Sequence, residues 1–410
     1  MANELGLRSY VGFQQQAISD EYLSNQAPRC FQAELQQRVI QNATGSVQAN
    51  SRLVFAIPSG ENSYIKPGSA YISVTVTITN TNAANVATFR KSRLGNAIFR
   101  ACQLTANGVL VERRENTNDT SALLYLHASN ANFYQNDASV LEGVSFDAGA
   151  TSTLQLYLPV PLGCFNAQAI PMWALPSTNV LLECELDSIT SMFSCSAGSV
   201  SAVTFANAQL IYESLQVDAS MVAMLKEEMT ASQIPYVIPI QECRVFVQAG
   251  AASANVVLGL NLSSVDAVMV GQRANPLNDQ ALELYAGPAE PSRFDLYCDG
   301  RKVNQENRLT GLSMYPALSQ SLSKIYDITC SSHNFGATMS RANYISSVFF
   351  AGQNLRKTNN KSVVLCGRPC NTINVDLQGF SVAPGSVLIY VFHSSLWQID
   401  VASGSVTMLR

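Results

Sequence analysis

At 410 residues the chain exceeds what one hydrophobic core usually organises, so two domains of about 150 to 200 residues each are expected. Only 13% of the residues are charged, the net charge is −4, and the densest basic clusters are FRKSR (89–93) and LRK (355–357). A surface that coats nucleic acid needs clustered cations to neutralise several phosphates, so direct sequence-specific nucleic-acid binding is excluded, and a polar, weakly charged exterior suits packing against other copies of the same chain. The 10 cysteines have no paired CxxC spacing and several fall inside strand patterns, which reads as buried, reduced thiols. No run of 18 apolar residues occurs, and MANELGLRSYVG has neither a basic nor an apolar leader region, so neither a membrane span nor export by a classical signal is expected.

Residues 1–48 are Gln-rich and irregular, with one amphipathic stretch in EYLSNQAPRCFQAELQQRVIQ that Pro28 interrupts. They read as an N-terminal arm that lies on its own domain, is exchanged with a neighbouring subunit, or runs along the inner face of an assembly. From Ser51 the period becomes two: Ile72, Val74, Val76 and Ile78 alternate with Tyr71, Ser73, Thr75, Thr77 and Thr79, a half-buried strand with a Thr-rich outer face. In AIFRACQLTANGVLVERRE (97–115), Asn107-Gly108 supplies the positive φ angles of a tight hairpin. A long connection (116–150) follows, in which SALLYLHASNA reads as a short helix, and three further strands complete the half.

MVAMLKEEM (221–229) is the clearest helix, capped by Asp218 or Ser220, with Met221, Met224, Leu225 and Met229 along one side; Pro235 ends it. Beyond it the order repeats. RFDLYCDGRKVN (293–304) carries Asp299-Gly300 where the first half has Asn-Gly, a second long connection spans about 305–360, and GSVLIYVFHSSLWQID closes the half. Each half holds about seven to nine strands, an inventory that eight-stranded jelly rolls carry. The expected layout is all-β: an arm (1–48), a first jelly roll (49–218), a short connecting helix (219–234) and a second jelly roll (235–410).

Three segments bear a resemblance to one family. LYLPVPLGCFNAQAIPMWALPSTNVLLECELDSI (156–189), AQLIYESLQVDASMVAMLKEEM (208–229) and YVFHSSLWQIDVASGSVTMLR (390–410) resemble, in order and spacing, the double jelly-roll major capsid proteins of icosahedral double-stranded DNA viruses and membrane-containing phages. They cover about a quarter of the chain. The segment CGRPCNTINVD departs from that pattern, and the modest length points to a smaller virus or phage lineage. The resemblance implies two tandem β-sandwiches that homotrimerise into a pseudo-hexagonal capsomer of an icosahedral virion. Its implied partners are neighbouring capsomers, penton and minor capsid proteins, and an internal membrane at the N-terminal arm where one is present.

Catalytic constellations are sparse. Of the three histidines, His127, His333 and His393, the last lies among Tyr390, Phe392 and Trp397 in a strand and reads as a packed ring; no GxSxG elbow accompanies it. Cys366 and Cys370 are spaced C-x3-C, which fits a disulfide better than a redox centre. No phosphate-binding glycine loop, carboxylate pair or oxygen-rich cation loop occurs, so no catalytic residue and no cofactor is assigned, and the sequence leaves any metal site undefined. The rival readings are a carbohydrate-binding or adhesin-like tandem β-sandwich, which calls for exposed tryptophans where only Trp173 and Trp397 exist, and a cupin-type enzyme, which calls for more histidines.

Overall fold

In the computed structural model the described residues are 34–81, 86–89, 98–118, 120, 145–175, 180–194, 200–249, 253–274, 293–304, 314, 349–357, 365–379 and 385–410. The principal strands of the first half are β1 (Glu34–Gln41), β2 (Arg52–Ile57), β3 (Tyr71–Asn80), β4 (Phe99–Ala106), β5 (Val109–Glu115), β6 (Thr151–Pro159), β7 (Val180–Leu186) and β8 (Val200–Gln216). Helix α1 (Ala219–Ser232) follows. The second half contributes β9 (Tyr236–Ala249), β10 (Ser253–Ala274), β11 (Arg293–Cys298), β12 (Arg301–Lys302), β13 (Phe350–Asn354), β14 (Arg368–Gln378), β15 (Gly385–Ile399) and β16 (Val406–Leu409).

The two main sheets of the first half are antiparallel, β1-β8-β3-β6 and β2-β7-β4-β5. This is the strand order of a jelly roll. Alternation drives it: Ile72, Val74, Val76 and Ile78 of β3 are fully buried and contribute to one core with Phe55, Phe99, Leu104 and Leu182 of the other sheet. The outward threonines of β3 pair across the sheet with β6, Thr75 donating to Gln155 at 2.8 Å and Thr77 and Thr79 meeting Thr153 and Thr151 at 3.1 and 3.3 Å.

The second half repeats the order, with one economy. β10 is 22 residues long and serves both sheets: its pairs with β14 run from residue 253 to 265, and its pairs with β15 from 265 to 274. The passage between sheets lies between Gly259 and Val265, where Asn261 (φ 49°) and two register shifts turn the strand. The sheets are therefore β9-β15-β10-β13 and β10-β14-β11-β12, the topology of the first half again. Counting β10 once in each sheet gives eight strands per roll.

The two expected hairpins are present. Asn107 and Gly108 (φ 50° and 75°) join β4 to β5, and Asp299 and Gly300 (φ 48° and 76°) join β11 to β12. A Cβ at either glycine would meet nothing within 4 Å, so the positive φ rather than lack of room selects glycine. The expected helix at SALLYLHASNA and most of the second long connection lie outside the described residues.

Two expectations change. Residues 34–41, read above as the end of an amphipathic stretch in the arm, form β1, which pairs with β8 along all eight of its residues; residues 34–48 thus belong with the first roll. In α1 the buried face is Met221, Val222, Leu225 and Met229, while Met224 is exposed. At 100° per residue Val222 falls just beyond Met229 at the edge of the arc that runs from Met221 through Leu225, whereas Met224 lies outside that arc, on the other side of Met221.

The helix is positioned by Asp218, whose side chain accepts the Ser220 N–H at 2.8 Å, and ends at Gln233 in the left-handed conformation (φ 54°). Replacing Asp218 with Ala is expected to cost about 1 kcal/mol. The check is a lower urea midpoint at unchanged far-ultraviolet circular dichroism.

Candidate functional site

The second roll is seated in the first. Buried side chains of α1 and of the near ends of β9, β15 and β16 (Tyr236, Ile238, Ile240, Trp397, Ile399 and Val406) belong to the hydrophobic core of the first roll, while a separate cluster fills the second. Trp173, which packs edge-on to Tyr64 at 6.1 Å, also meets Tyr236 edge-on at 5.8 Å. The closest approach is at Gly163: a Cβ there would stand 2.3 Å from the carbonyl oxygen of Gln241 in β9. No larger residue fits unless the two rolls part.

Charge is buried at this seam. Glu112 of β5 is fully buried and accepts the N–H groups of Gly163 and Cys164 at 2.9 and 2.8 Å, with Arg114 at 3.4 Å. Burial raises its pKa, an effect that Arg114 and the Cys164 N–H partly offset. Facing it in β9, Glu242 accepts the Ser395 hydroxyl at 2.7 Å and Arg410 Nε at 3.1 Å. Arg410 also donates to the Val111 carbonyl at 3.4 Å, and the Asn107 amide donates to Gly404 O at 3.3 Å, so the residues on either side of β16 are tied to the start of β5 and the turn before it. A cleft of about 300 Å³ opens beside these groups, lined by Arg113, Glu115, Arg244 and Phe246 among others.

The candidate residues fall apart chemically. His393 is fully buried opposite Glu242, and neither ring nitrogen has a hydrogen-bond partner among the described residues; burial, reinforced by Arg244 and Arg410 and opposed by Glu242, lowers its pKa to about 4. His127 and His333 lie outside the described residues. Cys366 and Cys370 are both free, buried thiols: Cys366 accepts from Arg356 Nε at 2.9 Å, and Cys370 hydrogen-bonds Cys298. The other described cysteines are also free and buried, while Cys30, Cys195 and Cys330 lie outside the described residues. Among the described residues no group of three or more His, Cys, Asp or Glu converges as a cation site.

No protein-family model and no curated protein matches the chain. Solved structures do. The Faustovirus major capsid protein matches with a TM-score of 0.61 at 8% identity, over 94% of this chain and 92% of that one. A chain of the PBCV-1 virus capsid matches with 0.58 at 14% identity over 92% and 97%, and a chain of the Sputnik virophage with 0.58 at 12% identity over 95% and 92%. The fold is the double jelly roll.

Within a double jelly roll the seam described above ties the two sandwiches together through buried polar contacts as well as a shared core. Sequence reasoning missed it. Glu112, Gly163 and Gln241 are distant in the chain and carry no local motif; the only textual hint is a glycine inside the Pro-Leu-Gly-Cys turn. Trp173 and Trp397 are both buried, so neither tryptophan offers an open face to a glycan.

Gly163→Ala is expected to destabilise the chain by about 2 kcal/mol or more, because backbone rather than a flexible side chain must yield. Calorimetry should show a lower melting temperature and a split of one transition into two. For His393, the unfolded side chain titrates near 6.5 and the folded one near 4, so the unfolded state binds more protons between these values. Its contribution to stability is therefore full above pH 6.5 and falls as pH drops through the window to about 4, by up to ~3 kcal/mol. Glu112 and Asp266, whose pKa values burial raises, act in the opposite sense. His393→Gln should flatten the fall in urea stability between pH 6.5 and 4; an unchanged slope would show that another group sets it.

Proposed function

We propose that the chain is a major capsid protein whose homotrimer forms a pseudo-hexagonal capsomer of an icosahedral shell, without catalytic activity. The observation that carries this reading is the pairing of two sandwiches of one topology, locked by a buried seam, in a chain that aligns over more than nine-tenths of its length with a solved major capsid protein. Two similar lobes per chain let three chains present six, so a threefold particle tiles a hexagonal lattice.

The finer assignments follow from the same reading. The first lobe runs from residue 34 to 218, the connector from 219 to 234 and the second lobe from 235 to 410, with residues 1–33 as the arm. Neighbouring capsomers, penton and minor capsid proteins are its partners, an internal membrane lies beneath the arm where the particle has one, and the virion is its location. Nucleic acid is not bound directly in a sequence-specific way.

The test is the mass of the purified chain in solution together with negative-stain images. A particle of three chain masses with a hexagonal outline is expected. A strict monomer that binds glycans would sink the capsid reading in favour of an adhesin-like tandem sandwich.

A further inference from the structure

The cleft of about 300 Å³ beside the seam is walled by β5 of the first roll and by β9 and β10 of the second, and every residue that lines it is among the described ones. β5 and β9 are each the outermost strand of their sheet, so no neighbouring strand closes the backbone off here; the Val111 carbonyl is met by the Arg410 side chain instead. The volume is that of about ten waters at their share of the liquid, room for a small organic molecule.

The charges around the cleft do not balance. Three guanidinium groups and two carboxylates line it. Arg113 meets Glu115 at 3.1 Å and donates to the Gln103 side chain at 2.6 Å, and Arg410 meets Glu242 at 3.1 Å. Arg244, half-buried, has neither a hydrogen bond nor an ion pair among the described residues, which leaves one positive charge over. Apolar surface adjoins it: Leu110, Val245 and Phe246 are half-buried in the same wall, and Leu260 is buried.

The next strand feels the surplus. His393 of β15, the cross-strand partner of Glu242, is fully buried, and neither ring nitrogen has a hydrogen-bond partner among the described residues. After burial, the influences on its charge are Glu242, which favours a proton, and Arg244 and Arg410, which oppose one. An anion beside Arg244 offsets the two arginines.

We propose that the cleft binds a small monocarboxylate with an apolar body, the carboxylate accepting two hydrogen bonds from the Arg244 guanidinium and the body lying on Leu110, Val245, Phe246 and Leu260. Glu115 and Glu242, already paired, repel a head that carries a second charge, which disfavours phosphate and dicarboxylates. The site goes beyond the capsid reading and does not depend on it. Because both rolls contribute to its walls, a bound molecule also ties them together.

The probe is hexanoate at pH 7, read by the chemical shift of the His393 ring in protein labelled with carbon-13 at histidine, with His393→Gln assigning that signal. A saturable shift with a Kd of about 1 mM is expected for a ligand of this size. Arg244→Gln should weaken binding about tenfold or more. Gly259 lines the cleft, and a Cβ there would meet nothing within 4 Å, so Gly259→Leu should fill the space and abolish binding with the melting temperature retained. On the wild-type chain hexan-1-ol, which lacks the charge, and inorganic phosphate, which lacks the body, should each bind about tenfold more weakly or less. This comparison decides the matter alone should either variant fail to fold. Absence of a saturable hexanoate shift, equal binding of hexan-1-ol or phosphate, or binding that survives both substitutions in folded protein would overturn the proposal and leave the capsid reading untouched.

Discussion

The relation between the two sandwiches depends on a buried carboxylate and a missing methyl group. Glu112 reaches across from β5 to hold two backbone N–H groups of the turn at Gly163, and that turn, because it starts on a glycine, lets the backbone of β9 come into contact. A carboxylate out of water keeps its charge only with such donors around it, and losing them leaves an uncompensated group that costs several kcal/mol. The turn therefore has one acceptable conformation. Everything that follows in the chain inherits its placement from it, including the insertion of Tyr236 and Trp397 into a core that belongs mostly to the other roll.

Hydrophobic burial provides the bulk of the attraction at this seam, and polar contacts provide its register. The aromatic contact between Trp173 and Tyr236 would tolerate a small slide. The bonds of Arg410 to Glu242 and to the Val111 carbonyl would not, because they fix a side chain of one roll to two strands at once. On the outer face of the β2-β7-β4-β5 sheet charge is handled differently. Glu185, whose pKa partial burial pushes up, is brought below its ordinary value by Arg100 at 2.8 Å, Arg113 and Arg52. Cations there are engaged with carboxylates of their own sheet.

What the sequence made legible were features whose cause is local. Alternation in residues 71–80 names its own buried face, and Asn107-Gly108 and Asp299-Gly300 announce hairpins because few residues accept two successive positive φ angles. Asp218 marks the helix start for the same kind of reason. β1 was hidden because its inward residues, Gln36, Arg38 and Ile40, are mostly polar; it is a strand because β8 offers it a full row of partners, and a terminal guanidinium nitrogen of Arg38 meets Glu61 at 2.8 Å. The seam was hidden because its members, among them Glu112, Gly163, Gln241 and Arg410, come from stretches far apart in the chain. The cysteines were legible as buried thiols, but which sulfur faces which depends on the pairing of β11 with β14.

The corner at Asn261 separates the two rolls in another respect. In the first roll the strands that occupy the two sheets at this point, β2 and β3, are joined by the segment from residue 58 to 70, which includes surface turns. In the second roll one unbroken strand rounds the same corner. In the first roll the exposed turns that flank the buried strand at Ser63–Ile65 can lengthen or shorten without disturbing either sheet, whereas an added residue within β10 would reverse the facing of every side chain beyond it. Of two corners with one topology, only the first has room to accept new sequence.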